Sequence, residues 1–177
     1  MVFYFGSQTG TAEKFANVLG EEAQKLGVGN ASVVDFEDFN EQAFLSHQLA
    51  VFVVATHYEG DPCDNTKRFF KWFKDQIKTP GNCSLKQMKY AVFGLGDSSY
   101  EQFNAIARMF DEGFEKMGAQ RIYKYGEGNA ESNSTEDDFN EWKKDFWGTI
   151  TEHYKSLQTE EEKEHDAVDF VRKGSMQ

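Results

Sequence analysis

Three hydroxyl side chains, Ser7, Thr9 and Thr11, sit in the run Gly6-Ser7-Gln8-Thr9-Gly10-Thr11. Hydroxyls and glycines at this spacing suit the binding of an oxyanion. Glycines let the backbone curl so that successive N–H groups converge, and a helix beginning there adds partial positive charge. The apolar run Val2-Phe3-Tyr4-Phe5 precedes the loop, and apolar residues at helical spacing follow it from Ala12 to Leu19. The loop holds no Lys or Arg. A triphosphate loop would end Gly-Lys-Ser/Thr, whereas Gly10 is followed by Thr11 and Ala12. The Gly-x-Gly-x-x-Gly spacing of a dinucleotide site is also missing. A single terminal phosphate wrapped by neutral donors fits the loop; an ordinary polar strand-to-helix turn fits it too.

Other chemistries find little to work with. Cys63 and Cys83 are too few for a disulfide framework, and His47, His57, His153 and His165 form no ligand pair at helical spacing. No metal site and no catalytic residue is expected. There is no Gly-x-Ser-x-Gly elbow for a serine hydrolase. The apolar run Leu49 to Ala55 passes into Thr56 where a phosphoacceptor domain would carry Asp. Cys63 has no evident His partner and reads as a plain loop thiol.

The elements that must position the loop are legible as alternating strands and helices. Strands are expected near 2–5, 31–35, 49–55, 90–95 and 120–124. Helices are expected near 11–26 (stopped by Gly27 and Gly29), 65–77, 100–117 and 135–156. This βαβ alternation implies a parallel sheet with helices on both faces and right-handed crossovers. Ligands of such sheets bind beyond the carboxyl ends of the strands, which nominates the loops after strands one, three and four. The chain has 177 residues, enough for one domain, with 17 Phe, 7 Tyr and 3 Trp to fill its core. From about residue 158 the acidic run Glu160-Glu161-Glu162-Lys163-Glu164 reads as a solvated tail that can continue the last helix.

Net charge is −11, which disfavours nucleic acid and anionic membrane surfaces and favours a partner with a basic face. Solubility alone also accounts for such a charge. No apolar run approaches the roughly 20 residues that span a bilayer, and no secretory signal is present. The chain opens almost directly on its first strand, so an upstream membrane anchor would lie outside this sequence. A reducing cytosolic setting follows from the cysteine usage.

The loop after strand three, Thr56-His57-Tyr58-Glu59-Gly60-Asp61-Pro62-Cys63-Asp64-Asn65, and the loop after strand four, Gly94-Leu95-Gly96-Asp97-Ser98-Ser99-Tyr100 and on to Phe103-Asn104, place aromatics on both sides of one pocket. Aromatic stacking, backbone hydrogen bonds to a ring edge and a phosphate in the first loop together describe a flavin mononucleotide (FMN) site. In these segments, and in Gly118-Ala119-Gln120-Arg121-Ile122 and the Asp137-Asp138-Phe139 to Trp142 pattern, the chain resembles the flavodoxin-like FMN domain of the diflavin reductases. Within these it is most similar to the NADPH–haemoprotein (cytochrome P-450) reductase family.

The resemblance implies a flavodoxin-like α/β fold, a doubly wound five-stranded parallel sheet of order 2-1-3-4-5. It spans residues 1–157, with 158–177 a charged linker toward a missing FAD/NADPH domain. Ser7, Gln8, Thr9, Gly10, Thr11 and Ala12 would hold the FMN phosphate, and Tyr100 would stack on one face of the ring. Thr56, His57, Tyr58, Glu59 and Gly60 would line the other face and the edge. Leu95, Gly96, Asp97, Phe103 and Asn104 would surround the ring and ribityl chain. The implied function is electron transfer from NADPH through FAD to FMN and on to a haem protein such as a cytochrome P-450. The isolated domain, a monomer without direct membrane contact, would be unable to oxidise NADPH efficiently. It would lie in the cytoplasm, or face the cytosol from an enzyme anchored in the endoplasmic reticulum. Asp61, Asp64, Asp97, Glu101, Glu131, Glu136, Asp137 and Asp138 are the docking candidates for a basic haem-protein face. Helix-start carboxylates also account for the last three. A flavodoxin-like module of another flavoenzyme (tRNA wybutosine synthesis, a sulfite reductase flavoprotein) and a free-standing flavodoxin are the alternatives.

The chain departs from the family pattern in two places. The family's Thr-Tyr-Gly-Glu-Gly-Asp-Pro is here Thr56-His57-Tyr58-Glu59-Gly60-Asp61-Pro62, so Tyr58 fills a Gly slot whose carbonyl, by the resemblance, turns toward the flavin. A side chain restricts positive φ there, and the half-reduced flavin is expected to be less stabilised. Alternatively Tyr58 swings onto the ring while His57 faces solvent. After strand five, Gly126-Glu127-Gly128-Asn129-Ala130-Glu131 lacks one carboxylate expected near the flavin.

Overall fold

A computed structural model describes residues 1–174 apart from 29, 80 and 82, and beyond residue 160 the backbone path alone. The chain order is β1 (Val2–Gly6), α1 (Thr11–Lys25), β2 (Ser32–Asp35), α2 (Glu41–Ser46), β3 (Leu49–His57), β4 (Asp61–Pro62) and α3 (Lys67–Lys78). It continues with β5 (Lys89–Gly96), α4 (Ala105–Lys116), β6 (Gln120–Arg121), β7 (Gly126–Asn129), α5 (Thr135–Lys143) and α6 (Phe146–Gly174). The sheet runs β2-β1-β3-β5-β6, with β7 also on β5. These pairs are parallel, as the alternation requires. Among the described residues only the two-residue β4 is antiparallel, folding back on the end of β3 through Thr56 opposite Pro62 and His57 opposite Asp61.

Successive strand residues point to opposite faces, and both faces are covered. Tyr4, Phe52, Tyr90 and Val92 meet α2, α3 and α4 through Phe44, Phe69, Phe73, Phe110 and Phe114. Phe3, Val51, Val53 and Phe93 meet α1, α5 and α6 through Phe15, Leu19, Phe139, Trp142 and Phe146. Burial on both sides explains why the central strands read as continuous apolar runs. Each fully buried Phe contributes about 1.5–3 kcal/mol relative to exposure.

Four boundaries differ from the sequence reading, each for a local reason. The strand expected near 120–124 stops at Arg121, where the Trp142 indole donates to the Lys124 carbonyl at 2.8 Å and holds that stretch out of the ladder, and a further strand, β7, forms in the run read as following it. The expected helix over 135–156 breaks after Lys143. There the Tyr123 hydroxyl donates at 2.6 Å to the Trp142 carbonyl, the group that the Phe146 N–H would otherwise use. Helix α4 starts only at Ala105, because Asn104 is left-handed (φ 54°). Within the connection after β2, Asn40 caps α2 by accepting from the Ala43 N–H at 3.0 Å. Helix α1 ends at Gly27 as expected (φ 69°), its Gly29 lying outside the described residues. The acidic segment from 158 continues α6 to Gly174, and residues 175–177 lie outside the described residues. Among the described residues no helix is long and apolar enough to cross a membrane.

Candidate functional site

At the carboxyl ends of β1, β3 and β5 the three nominated loops enclose a cavity of about 420 Å³, within the size range of small-molecule sites. Of the sequence-nominated residues, Ser7, Gln8, Thr9, Thr11, Ala12, Thr56, His57, Tyr58, Leu95, Gly96, Asp97, Tyr100, Phe103 and Asn104 line it. Gly10, Glu59 and Gly60 do not. Gly10 is the left-handed residue before α1, Glu59 is an exposed turn tip, and the Gly60 N–H donates to the His57 carbonyl at 3.3 Å to close that turn. Ala55, Cys63, Gln102, Ala130 and Thr135 complete the lining. Their types carried no chemical signal, although Cys63 and Gln102 lie in nominated loops.

The first loop is pre-organised. The Gly10 N–H donates to Ser7 Oγ at 3.0 Å, and the Ser7 N–H to Asn65 Oδ1 at 3.0 Å. Gln8 and Asp64 clasp across the rim: Gln8 Nε2 donates to Asp64 Oδ2, and the Asp64 N–H to Gln8 Oε1, both at 3.0 Å. No side chain caps α1, so its first N–H groups face the loop without an internal acceptor. Opposite the loop, Asn104 is fully buried with Oδ1 lacking any hydrogen-bond partner, while its amide reaches the Gly128 carbonyl at 3.5 Å. A buried acceptor without a donor is costly, so this oxygen calls for a ligand N–H or O–H. The Arg108 guanidinium, paired with Glu127, sits 5.4 Å from the Phe103 ring centroid and braces that wall.

The aromatic side is built on strain. Tyr58 adopts φ 41° despite its side chain and is 61% exposed. Its ring centroid is 3.9 Å from that of His57 and 6.2 Å, edge-on, from Tyr100. The side chain therefore does not keep this residue out of positive φ, contrary to the sequence expectation. Left-handed geometry costs an L-residue about 1–2 kcal/mol, which yields a testable reversal. Tyr58→Gly is expected to be more stable than Tyr58→Ala by about 1 kcal/mol, although Gly normally loses more chain entropy. Urea melts of the two variants decide it; an Ala variant of equal or greater stability would refute the strain.

Charge around the mouth is largely engaged. Hydrogen bonds from Lys67 and Gln8 hold the Asp64 carboxyl below its usual range, and hydrogen bonds from Ser99 do the same for Asp97. Asp138 accepts from the Asn129 N–H at 3.0 Å and the Ser134 hydroxyl at 2.7 Å, so it organises the turn before α5. Glu136 pairs with Lys14 at 3.1 Å. Burial and the neighbouring Asp64 push the Cys63 thiol up to about 11, and its Sγ donates to the Ala55 carbonyl at 3.4 Å. That thiol stays protonated at neutral pH and is no nucleophile. Among the described residues no cluster of His, Cys, Asp and Glu could hold a metal ion.

Comparison with known proteins agrees with this geometry. The family model described as Flavodoxin matches residues 3–142. The NADPH–cytochrome P-450 reductases of Oryctolagus cuniculus and Dictyostelium discoideum are each 40% identical over 166 residues, 92% of this chain and 24% of theirs. That of Homo sapiens is 39% identical over the same share. The chain thus spans about a quarter of the length of these curated relatives. Among solved structures, a cysteine-to-serine variant of a flavodoxin from Pseudomonas aeruginosa is similar at a TM-score of 0.70 and 23% identity, covering 85% of this chain and 97% of that one. A short-chain flavodoxin associated with a bacterial microcompartment is similar at 0.64 and 22%, covering 85% and 95%. At these identities the structural likeness is one of fold.

Proposed function

The chain belongs to the flavodoxin family, and from that premise we propose that it binds FMN and serves as the electron-transfer module of an NADPH-dependent diflavin reductase. The carrying observation is the cavity: neutral donors at an uncapped helix on one side, Tyr100 and the His57–Tyr58 pair on the other, and the unpaired Asn104 oxygen between. These residues fit the group. Ser7, Gln8, Thr9, Thr11 and Ala12 would hold its phosphate, Tyr100 and His57 or Tyr58 its ring, and Asn104 a donor on it. Bound flavin supplies the one- and two-electron chemistry; the protein supplies binding, orientation and electrostatics. The aromatic walls would cover the ring faces, while the loop amides and hydroxyls would fix the phosphate end.

The 40% identity over 92% of the chain supports the reductase reading over other flavodoxin-type modules. In that reading FAD and NADPH bind a further domain, and electrons leave this chain for a haem protein. The exposed Asp61, Glu101 and Asp137 offer an acidic rim to a basic partner. Purified protein is expected to be yellow and to release FMN on heating. Supplied with an FAD/NADPH domain, it should reduce a cytochrome at a rate that falls with added salt. Colourless protein that refuses added FMN would overturn the flavin reading; salt-indifferent reduction would overturn the acidic docking rim.

A further inference from the structure

We infer that the Arg108–Glu127 ion pair, one side chain behind the cavity wall, poises the reduction potential of the bound flavin. The guanidinium favours the reduced form, the carboxylate opposes it, and their pairing holds the balance. This rests on the flavin reading above. Among the described residues the cavity lining carries one carboxylate, Asp97, and no Lys or Arg. Phe103 lines the cavity, and the Arg108 guanidinium lies 5.4 Å from its ring centroid. Uptake of two electrons with one proton leaves the flavin with one more negative charge. A cation acting across an aromatic ring is screened less than one acting across water, so it favours that state. A carboxylate at the same place disfavours it.

The pair joins α4 to β7 and is held in place. Guanidinium N–H groups on Nε and Nη2 both donate to Glu127, the second at 2.8 Å, a fork that fixes direction as well as distance. The Tyr125 hydroxyl donates to the same carboxylate at 2.9 Å. Burial, together with Glu127, pushes that phenol up, so it stays a donor at neutral pH. Tyr125 also ties the pair to the wall: a Cβ on Gly94 would stand 2.9 Å from its hydroxyl and 3.0 Å from Asn104 Oδ1. In β7 the Gly128 carbonyl, next to Glu127, receives the Asn104 amide at 3.5 Å. With the Arg108 side chain 48% exposed, the pair adds little to stability on its own. Neither residue lines the cavity, so both are positioning residues that act on the flavin through Phe103.

The test measures the potential of the FMN-loaded protein by spectroelectrochemical titration in wild type, Arg108→Gln, Glu127→Gln and the double variant. Arg108→Gln leaves a carboxylate and should lower the potential; Glu127→Gln leaves a guanidinium and should raise it. Each shift should correspond to roughly a threefold change in the ratio of reduced to oxidised flavin affinity, about 14 mV for a two-electron couple. The double variant should return close to wild type, Arg108→Lys should hold the wild-type value, and high salt should shrink both shifts. Shifts of the same sign, no shift, or flavin lost from either single variant would make the pair a structural clamp and overturn the inference, leaving the flavin reading standing. Thermal melts keep the two roles apart, because a clamp lowers Tm in both single variants without opposite changes in potential. Wild type that takes up no flavin overturns both.

Discussion

A Gly10→Val variant is expected to fold and yet lose FMN, its dissociation constant rising about a hundredfold, or roughly 2.7 kcal/mol. Gly10 holds φ 95° and ψ −3°, a conformation in which its N–H reaches Ser7 Oγ while its carbonyl receives the Lys14 N–H. A Cβ there would meet nothing within 4 Å, so the effect is torsional and not steric crowding. A β-branched residue is a genuine outlier at positive φ, and the loop must relax away from the geometry that aims its amides at one point. Gly27 provides the matched control. It too is left-handed (φ 69°) with open space around its Cβ, but it lies at the far end of α1. Gly27→Val should lose a comparable 1–2 kcal/mol of flavin-free stability and keep its affinity. Fluorescence titration of both variants separates the cases. Equal FMN affinity in the two would mean that the Gly10 turn does not shape the phosphate site.

The contrast between these glycines shows what the sequence could and could not tell. Loop one was legible because its glycines, hydroxyls and flanking periodicity are all local signals. The parallel sheet followed because apolar runs such as Leu49–Val54, buried on both faces, suit its interior, while the strand order came from the family resemblance. Features set by tertiary hydrogen bonds were not legible. The early end of the fifth strand and the break between α5 and α6 both depend on Tyr123 and Trp142 exchanging bonds with each other's backbone neighbourhoods. Those residues are about twenty apart, and nothing in either segment alone announces the pairing. Ala55, Ala130 and Thr135 enter the cavity wall through backbone placement, so their side chains gave no clue. Tyr58 was read as anomalous from its type, but its positive φ was not legible: the tilted contact with His57 and the turn closed at Gly60 accompany a backbone that its type disfavours.

The largest loss of stability is expected from a substitution that helix propensity favours. Gly113 lies inside α4, where Ala should gain about 1 kcal/mol. Yet a Cβ at this position would stand 2.1 Å from Phe73 Cζ and 2.6 Å from its Cε2. Phe73 cannot withdraw. It is fully buried, with ring centroids 4.8 Å from Phe110, 5.6 Å from Phe114 and 6.1 Å from Phe69. Gly113 is thus a point of close contact between α4 and Phe73 of α3, and overpacking it must push the helices apart or force Phe73 off its rotamer. A net destabilisation of about 2–3 kcal/mol follows, near the upper end for overpacking, with Tm falling by roughly 5–10 °C for a domain of this size. Shortening the opposing side chain should restore part of it. In a double-mutant cycle of Gly113→Ala with Phe73→Leu, the pair should be less damaging than the sum of the singles, a coupling of about 1 kcal/mol or more. Function is exposed to the same strain, because α4 begins beside Asn104, a residue of the cavity wall whose buried oxygen lacks a partner. Displacing α4 moves that acceptor, so Gly113→Ala should weaken FMN as well, and Phe73→Leu should recover affinity and stability together. Additive losses, or a Gly113→Ala protein as stable as wild type, would show that α3 and α4 have slack at this contact and that the position of Asn104 is fixed from elsewhere.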